Sequence, residues 1–173
     1  MEQLHLIDDV TPFIPFGFVC FWKPTQPLGV FSNWSDTPFV HNNEHFATSE
    51  HYMMAEKARL MGDEDTRRKI LADPSPSVAK KLGQSVKPWD EAKWLQHRCR
   101  IMYEACRAKF SYSPELLAQL MATGDKVLVE ASSLDRIWGI GMIASDPSAV
   151  IPAQWKGLNL LGKVLMKVRE DLK

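Results

Sequence analysis

Cysteine is scarce and unpatterned in this chain: Cys20, Cys99 and Cys106 are odd in number, widely spaced, and form no CxxC. That excludes a disulfide framework and a cysteine zinc knuckle, and it fits a reducing, cytoplasmic or nucleoplasmic compartment. An excess of charge of either sign is missing too, since Lys plus Arg and Asp plus Glu each number 21. A balanced chain is no general clamp for polyanions, so any nucleic-acid contact is expected to be local. Long apolar runs are absent. GFVCFW (17–22) is far too short to span a bilayer, and MEQLHLIDDV carries acids where a secretory leader needs bases. The chain reads as soluble and cytoplasmic, with no membrane partner.

What is present suffices for one domain with a real core: 173 residues, 45% of them hydrophobic. GFVCFW reads as a short buried strand, and PFVHNNEHFATS (38–49) as a hairpin turning at Asn42-Asn43, a pair that tolerates left-handed backbone. Helices then take over. Thr48 or Ser49 caps one that runs to Met61 and stops at Gly62. Asp63 opens a second, to about Leu71, and Ser75-Pro76 a third that ends at Gly83. From Asp90 to Phe110 the residues Leu95, Cys99, Met102, Cys106 and Phe110 recur at three-four spacing, which predicts a long helix. Ser113-Pro114 begins another, KVLVEAS (126–132) is the clearest late strand, and Asn159 caps a last helix with Leu161, Val164, Leu165, Val168 and Leu172 on one face. Strands and helices do not alternate as a doubly wound sheet requires. The expected fold is therefore α+β: a helix-dominated single domain over 18–173 with a small antiparallel sheet, preceded by an N-terminal extension, 1–17.

Motifs that would carry chemistry divide unevenly. His41, His45, His51 and Glu44 are ligand types, but HExxH is missing and neighbours on a strand face opposite ways, so no metal is expected. GIGMIA (139–144) matches a dinucleotide fingerprint only in letters, because no strand precedes it and Pro147 follows. TSEH (48–51) is stronger: a capped helix start places Glu50 in the first turn, where the dipole favours an ionised carboxylate and a low pKa. Lys57 lies two turns on, near the same face. Glu50 is then either an ordinary dipole partner on a capped surface helix or a fixed active-site carboxylate beside a lysine. LDRIWG (134–139) follows a buried strand, so Asp135 and Trp138 are on a loop positioned by a rigid element. WKGLNLLG (155–162) ends at a helix N-terminus, a place that either caps itself or binds phosphate. Trp34, Trp89, Trp94, Trp138 and Trp155 either fill the core or stack on a base.

Taken together, FSNW (31–34), TSEHYMMAEK (48–57), CRAKF (106–110), LVEASSLDRIWG (128–139) and GLNLLG (157–162) resemble, in order and over roughly residues 18–172, the YbiA-like or NADAR family. The resemblance implies a small α+β domain that hydrolyses N-glycosidic bonds. Two substrate classes come with it: ribosylamino-pyrimidine phosphates of riboflavin synthesis, and ADP-ribose attached to guanine in DNA or RNA. The family's acidic position falls on Glu50, its motif lysine on Lys57, its helix tryptophan on Trp94, and its D-x-x-W-G motif on Asp135, Trp138 and Gly139. G-x-N-x-L-G is present as Gly157, Asn159, Leu161 and Gly162. The segment IGMIASDPSAVIPAQWK (140–156) is longer and more apolar than in bacterial relatives and is expected to border the pocket.

Both substrate classes present a ribose carbon bonded to a heterocycle nitrogen, with phosphate at the far end of the sugar. Breaking that bond builds oxocarbenium character at C1, which a preorganised carboxylate stabilises. Glu50 is the expected stabiliser, with Asp135 orienting or deprotonating the water. Alternatively, Lys57 captures the opened sugar as a Schiff base while Glu50 shuttles protons. Phe31, Trp94 and Trp138 are candidate stackers, and Ser32, Asn33 and His51 candidate polar contacts. Asn159, the amides at Gly157, and Arg136 or Lys156 are candidates for the phosphate. No cofactor is expected. A module that binds ADP-ribose or a related nucleotide without cleaving it is the competing class.

Overall fold

The computed structural model describes residues 17–173, so the extension expected over 1–17 lies, but for Gly17, outside the described residues. The elements are β1 (Phe18–Phe21), β2 (Phe39–His41), β3 (Glu44–Phe46), α1 (Ser49–Met61), α2 (Glu64–Ala72), α3 (Pro76–Gln84), α4 (Glu91–Tyr112), α5 (Pro114–Met121), β4 (Val127–Glu130) and α6 (Leu160–Asp171). The domain is α+β and dominated by its helices, as the pattern of caps and periodicities implied.

The caps explain most boundaries. Thr48 Oγ1 accepts from the His51 amide, Asp63 from Thr66, Asp90 from Lys93 and Ser113 from Leu116. Gly62 closes α1 at φ 80°, the left-handed conformation the stop signal calls for. Gly83 does not end α3: it is inside the helix, because a side chain there would run into Met54 of α1. Close approach, not termination, is its purpose. Leu95 departs from the expected apolar stripe of α4 and is 46% exposed, since the first turns of that helix project beyond the core.

The strands depart from the expected single antiparallel sheet. Two separate pairs form instead: β2 with β3, antiparallel, and β1 with β4, parallel. The first is the predicted hairpin, turning through Asn42 and Asn43 at φ 49° and 63°. The second joins Phe18–Phe21 to Val127–Glu130, with every intervening helix as the crossover that parallel pairing demands. Nothing local in either strand announces a partner so far away in the chain.

Helix α1 is the centre of the packing, with α2, α3 and α4 against it; α4 also packs on α6, and α6 on β4. Met53, Met54, Ala55 and Ala58 of α1, Met102, Ala105 and Phe110 of α4, and Leu161, Val164, Leu165 and Val168 of α6 are buried together with the strands. A side chain at Gly162 would collide with the Leu128 carbonyl, so that glycine sets how closely α6 lies on β4. Among the described residues, no helix is long and apolar enough to cross a membrane.

Candidate active site

The start of α1, the loop before it and the end of β4 meet around a cavity of about 850 Å³. Its size falls in the roughly 300–1,000 Å³ range of small-molecule sites. Four indoles, Trp22, Trp34, Trp94 and Trp138, line it together with three carboxyl groups, Glu50, Glu130 and Asp135. Lys23, Lys57, Lys80 and Arg136 supply the positive charge.

Each side chain is held by its own piece of local chemistry. Glu50 is in the first turn of α1, 3% exposed, and its amide donates to the Asn33 carbonyl at 3.0 Å, which ties the Ser32–Trp34 loop to the helix start. The same loop is clamped from below by Lys109 of α4, 1% exposed, whose ammonium donates to the Val30 and Ser32 carbonyls and to Ser35 Oγ. Three donors thus meet three acceptors, which is why a lysine tolerates full burial there. Burial lowers it to about 8, so it remains largely charged at neutral pH. Asp135 turns the loop after β4 by accepting from the Ile137 and Trp138 amides at 2.8 and 2.7 Å. That Asx turn presents Trp138 to the cavity.

The electrostatics reverse one expectation. The helix dipole was expected to hold Glu50 low, yet burial pushes it up to about 7, with Lys80, Trp34 and Lys57 pulling down and Asp135 pushing up. A helix terminus is worth roughly 0.3–1 kcal/mol, whereas taking a carboxylate out of water costs several. Burial therefore wins. Glu130, at the end of β4, is raised further, to about 8, first by burial and then by Asp135 and Glu50. Lys57 is lowered by burial and raised in part by Glu50. Its ammonium lies 4.5 Å from the Trp89 ring centre and 5.3 Å from that of Trp94.

Of the residues singled out from sequence, Glu50, Lys57, Asp135, Ser32, Asn33, Trp34, Trp94, Arg136 and Trp138 come together on the cavity wall. The others do not. Phe31 is core, packed edge-on to Phe21 and beside Phe110. His51 has both ring nitrogens engaged, Nδ1 with Thr48 Oγ1 and Nε2 with the Asp73 carbonyl, each at 2.8 Å. Asn159 is neither a side-chain cap nor a cavity residue: at φ 53° its amide accepts from the Glu130 amide and donates to the Leu128 carbonyl. It holds the free edge of β4 in place of a missing strand. Gly157 lets residues 156–159 cross over 136–140, because a side chain there would strike the Gly139 carbonyl and Arg136. Lys156 is exposed and pairs by its amide with the Ile140 carbonyl, outside the wall. The segment 140–156 was expected to border the cavity; the lining ends at Trp138, and the segment packs behind it.

Sequence reasoning missed Trp22, Lys80 and Glu130. Lys80 and Trp22 carry no local signal. Glu130 did have one, a charged residue closing an apolar strand immediately before the Asp135 loop.

The whole of residues 20–173 matches the family model described as NADAR domain. The chain belongs to the NADAR family. Among relatives, N-glycosidase R617 of Acanthamoeba polyphaga mimivirus is 42% identical over 154 residues, covering 86% of this chain and 91% of that protein. N-glycosidase YbiA of Escherichia coli is 34% identical over 152 residues, covering 88% and 86%. The NMR structure of E. coli YbiA superposes with a TM-score of 0.76 at 31% identity, over 96% of this chain and 90% of that one. Membership places this NADAR domain in a class of N-glycosidases, hydrolases of N-glycosidic bonds.

Proposed function

We propose that this NADAR domain cleaves the ribose C1–N bond of a phosphate-bearing ribosyl heterocycle, and that its substrate is ADP-ribose attached to guanine in nucleic acid. The observation that carries the reading is the cavity itself: carboxyl groups at one place, cations and indoles around them, and room for more than a ribose phosphate. A carboxylate with no strong ion pair is available for a developing cation, and the fixed surroundings spare it reorganisation when that charge appears.

Glu50 stabilises the oxocarbenium-like C1, and Asp135, with one oxygen committed to its turn, uses the other to orient or deprotonate water. Trp34, Trp94 and Trp138 offer faces to the base and the sugar. Asn33 has a buried Oδ1 without a hydrogen-bond partner, suited to a ribose hydroxyl. Lys23, Lys80 and Arg136 serve the phosphates. Since the carboxyl cluster is small and the net charge of the chain is zero, the contact with nucleic acid is confined to the modified nucleotide.

A second route has its own support. Lys57 is half-buried, lowered by burial and next to Glu50, as an amine that forms a Schiff base with an opened sugar would be. Borohydride trapping during turnover separates the routes: an adduct on Lys57 establishes the lysine route, and its absence leaves direct hydrolysis.

The test is a side-by-side assay of the wild type and Glu50→Gln on an ADP-ribosylated guanine oligonucleotide and on a ribosylamino-pyrimidine 5′-phosphate. Release of ADP-ribose by the wild type alone is the expected result. Release of ribose 5-phosphate from the pyrimidine instead reassigns the substrate to a free metabolite. Binding of ADP-ribose with neither product makes the domain a binding module and overturns the proposal.

A further inference from the structure

Glu130 is a buried acid without a partner. Its Oε2 has no accessible surface and no hydrogen bond, yet the residue lines the cavity beside Glu50 and Asp135. The fold goes to some length to place it. Its amide donates to Asn159 Oδ1, its carbonyl accepts from the amides of Ser132 and Ile140, and the parallel register sets it opposite Phe21. A structural carboxyl so constrained would be expected to hold an arginine, a lysine or a row of amides. This one holds nothing.

We propose that Glu130 is a catalytic residue of the reaction described above, carrying the proton that the departing heterocycle takes. This rests on the N-glycosidase reading of the cavity. The division of labour follows from the surroundings. From α1 Glu50 faces Glu130, from the following loop Asp135, from α3 Lys80, and from α4 Cys106, which is itself buried and uncharged. Burial first, and then the two neighbouring acids, keep Glu130 neutral against the opposing pull of Lys80. Glu50 has more help toward ionisation, from Lys80, Lys57 and the Trp34 indole. Two carboxyl groups in one cavity whose environments differ in this way divide into a proton donor, Glu130, and an ionised group, Glu50, that faces the developing cation.

The step balances without any further reactant. The C1–N bond breaks with its electron pair passing to the heterocycle, which takes the Glu130 proton. Water oxygen bonds to C1, and Asp135 accepts the water's proton and loses it to solvent. Glu130 is reprotonated from solvent, so the sum is substrate plus water giving the free sugar hydroxyl and the N–H base.

The test uses the full chain and an ADP-ribosylated guanine oligonucleotide, with kcat and kcat/KM followed from pH 5 to 10 for the wild type, Glu130→Gln, Glu130→Asp and Glu50→Gln. General acids contribute roughly 10²–10⁴-fold. The expected result is a wild-type bell with Glu50 on the acid limb and Glu130 on the alkaline limb. Glu130→Gln should lose at least about 100-fold in kcat and all of the alkaline limb, while its ADP-ribose affinity stays within about threefold of wild type. Glu130→Asp should restore part of the rate with a displaced alkaline limb. An unchanged alkaline limb and a kcat within about tenfold of wild type in Glu130→Gln would overturn the proposal. If Glu130→Gln fails to fold, the wild type decides, and a rate that stays flat to pH 10 overturns it. Turnover of the oligonucleotide by the wild type with a silent Glu130 sinks only this inference; no turnover of the oligonucleotide sinks the ADP-ribosyl-guanine reading and this with it.

Discussion

Replacing Glu50 by Gln should make the protein more stable while it destroys activity, and only on the alkaline side. The carboxyl is raised from its ordinary value of 4.5 to about 7 in the fold, with burial as the main cause. A raised acid binds its proton more tightly folded than unfolded. Its favourable contribution is complete below the unfolded value and is lost as pH rises through the folded one. Relative to the neutral acid, that carboxyl costs the fold about 3 kcal/mol at pH 8 and under about 1 kcal/mol at pH 5, by proton linkage. The attraction of Lys57 and Lys80 is already contained in that figure, and solvent screening in a partly solvated cavity trims the gain to about 2 kcal/mol. For a domain of this size that is a rise of roughly 4–8 °C in Tm. Differential scanning of wild type and Glu50→Gln at pH 5 and pH 8 reads it directly. Equal or lower Tm in the variant at pH 8, or a gain of the same size at both values, would refute the argument that burial rather than the helix dipole governs this carboxyl.

Lys109→Met exchanges the clamp beneath residues 30–35 for an apolar chain of similar length and takes the charged donor from two carbonyls and a serine hydroxyl, which keep only the weaker hydrogen bonds within the loop. A loss of about 3 kcal/mol or more is expected by chemical denaturation, and ADP-ribose binding should fall with it because Ser32, Asn33 and Trp34 line the cavity. Asn159→Ala removes two hydrogen bonds to the β4 backbone and should cost about 2–3 kcal/mol, with ligand affinity, measured calorimetrically on the folded fraction, unchanged; a large loss of phosphate affinity would return Asn159 to the site. Trp94→Ala should weaken ligand binding and free the Lys57 ammonium from one of its two indoles. A change in the quenching of Trp89 fluorescence on titrating Lys57 would report that release.

The two halves of the fold were unequally legible. Helices announce themselves within a few residues: Thr48, Asp63, Asp90 and Ser113 each accept from the amide three positions on. Strand pairing has no such local mark. Phe18–Phe21 and Val127–Glu130 are short and apolar, and only the assembled helices bring them side by side. Polar residues in motifs divided along the same line. Glu50 and Asp135 could be argued from their elements, a helix start and a strand-end loop. Asn159 and His51 have the composition of ligands, but the backbone and, for His51 Nδ1, the Thr48 hydroxyl occupy their hydrogen-bonding groups. Composition shows which groups can bind; only geometry shows which remain unbound.

The same distinction separates Glu130 from Lys109. Both are ionisable groups withdrawn from water on apolar elements, and a sequence offers no way to tell whether such a group is satisfied. Lys109 has all three protons placed and is there to hold a loop. Glu130 has an oxygen with none. A fold tolerates the first because the hydrogen bonds offset burial, and it has no structural reason to tolerate the second. The cavity therefore combines a backbone frame held by Lys109 with polar side-chain groups left short of partners. Such groups are poorly solvated until a substrate supplies a cation, a hydroxyl or a basic nitrogen, and interactions that strengthen as charge develops in the transition state are the ones available for catalysis.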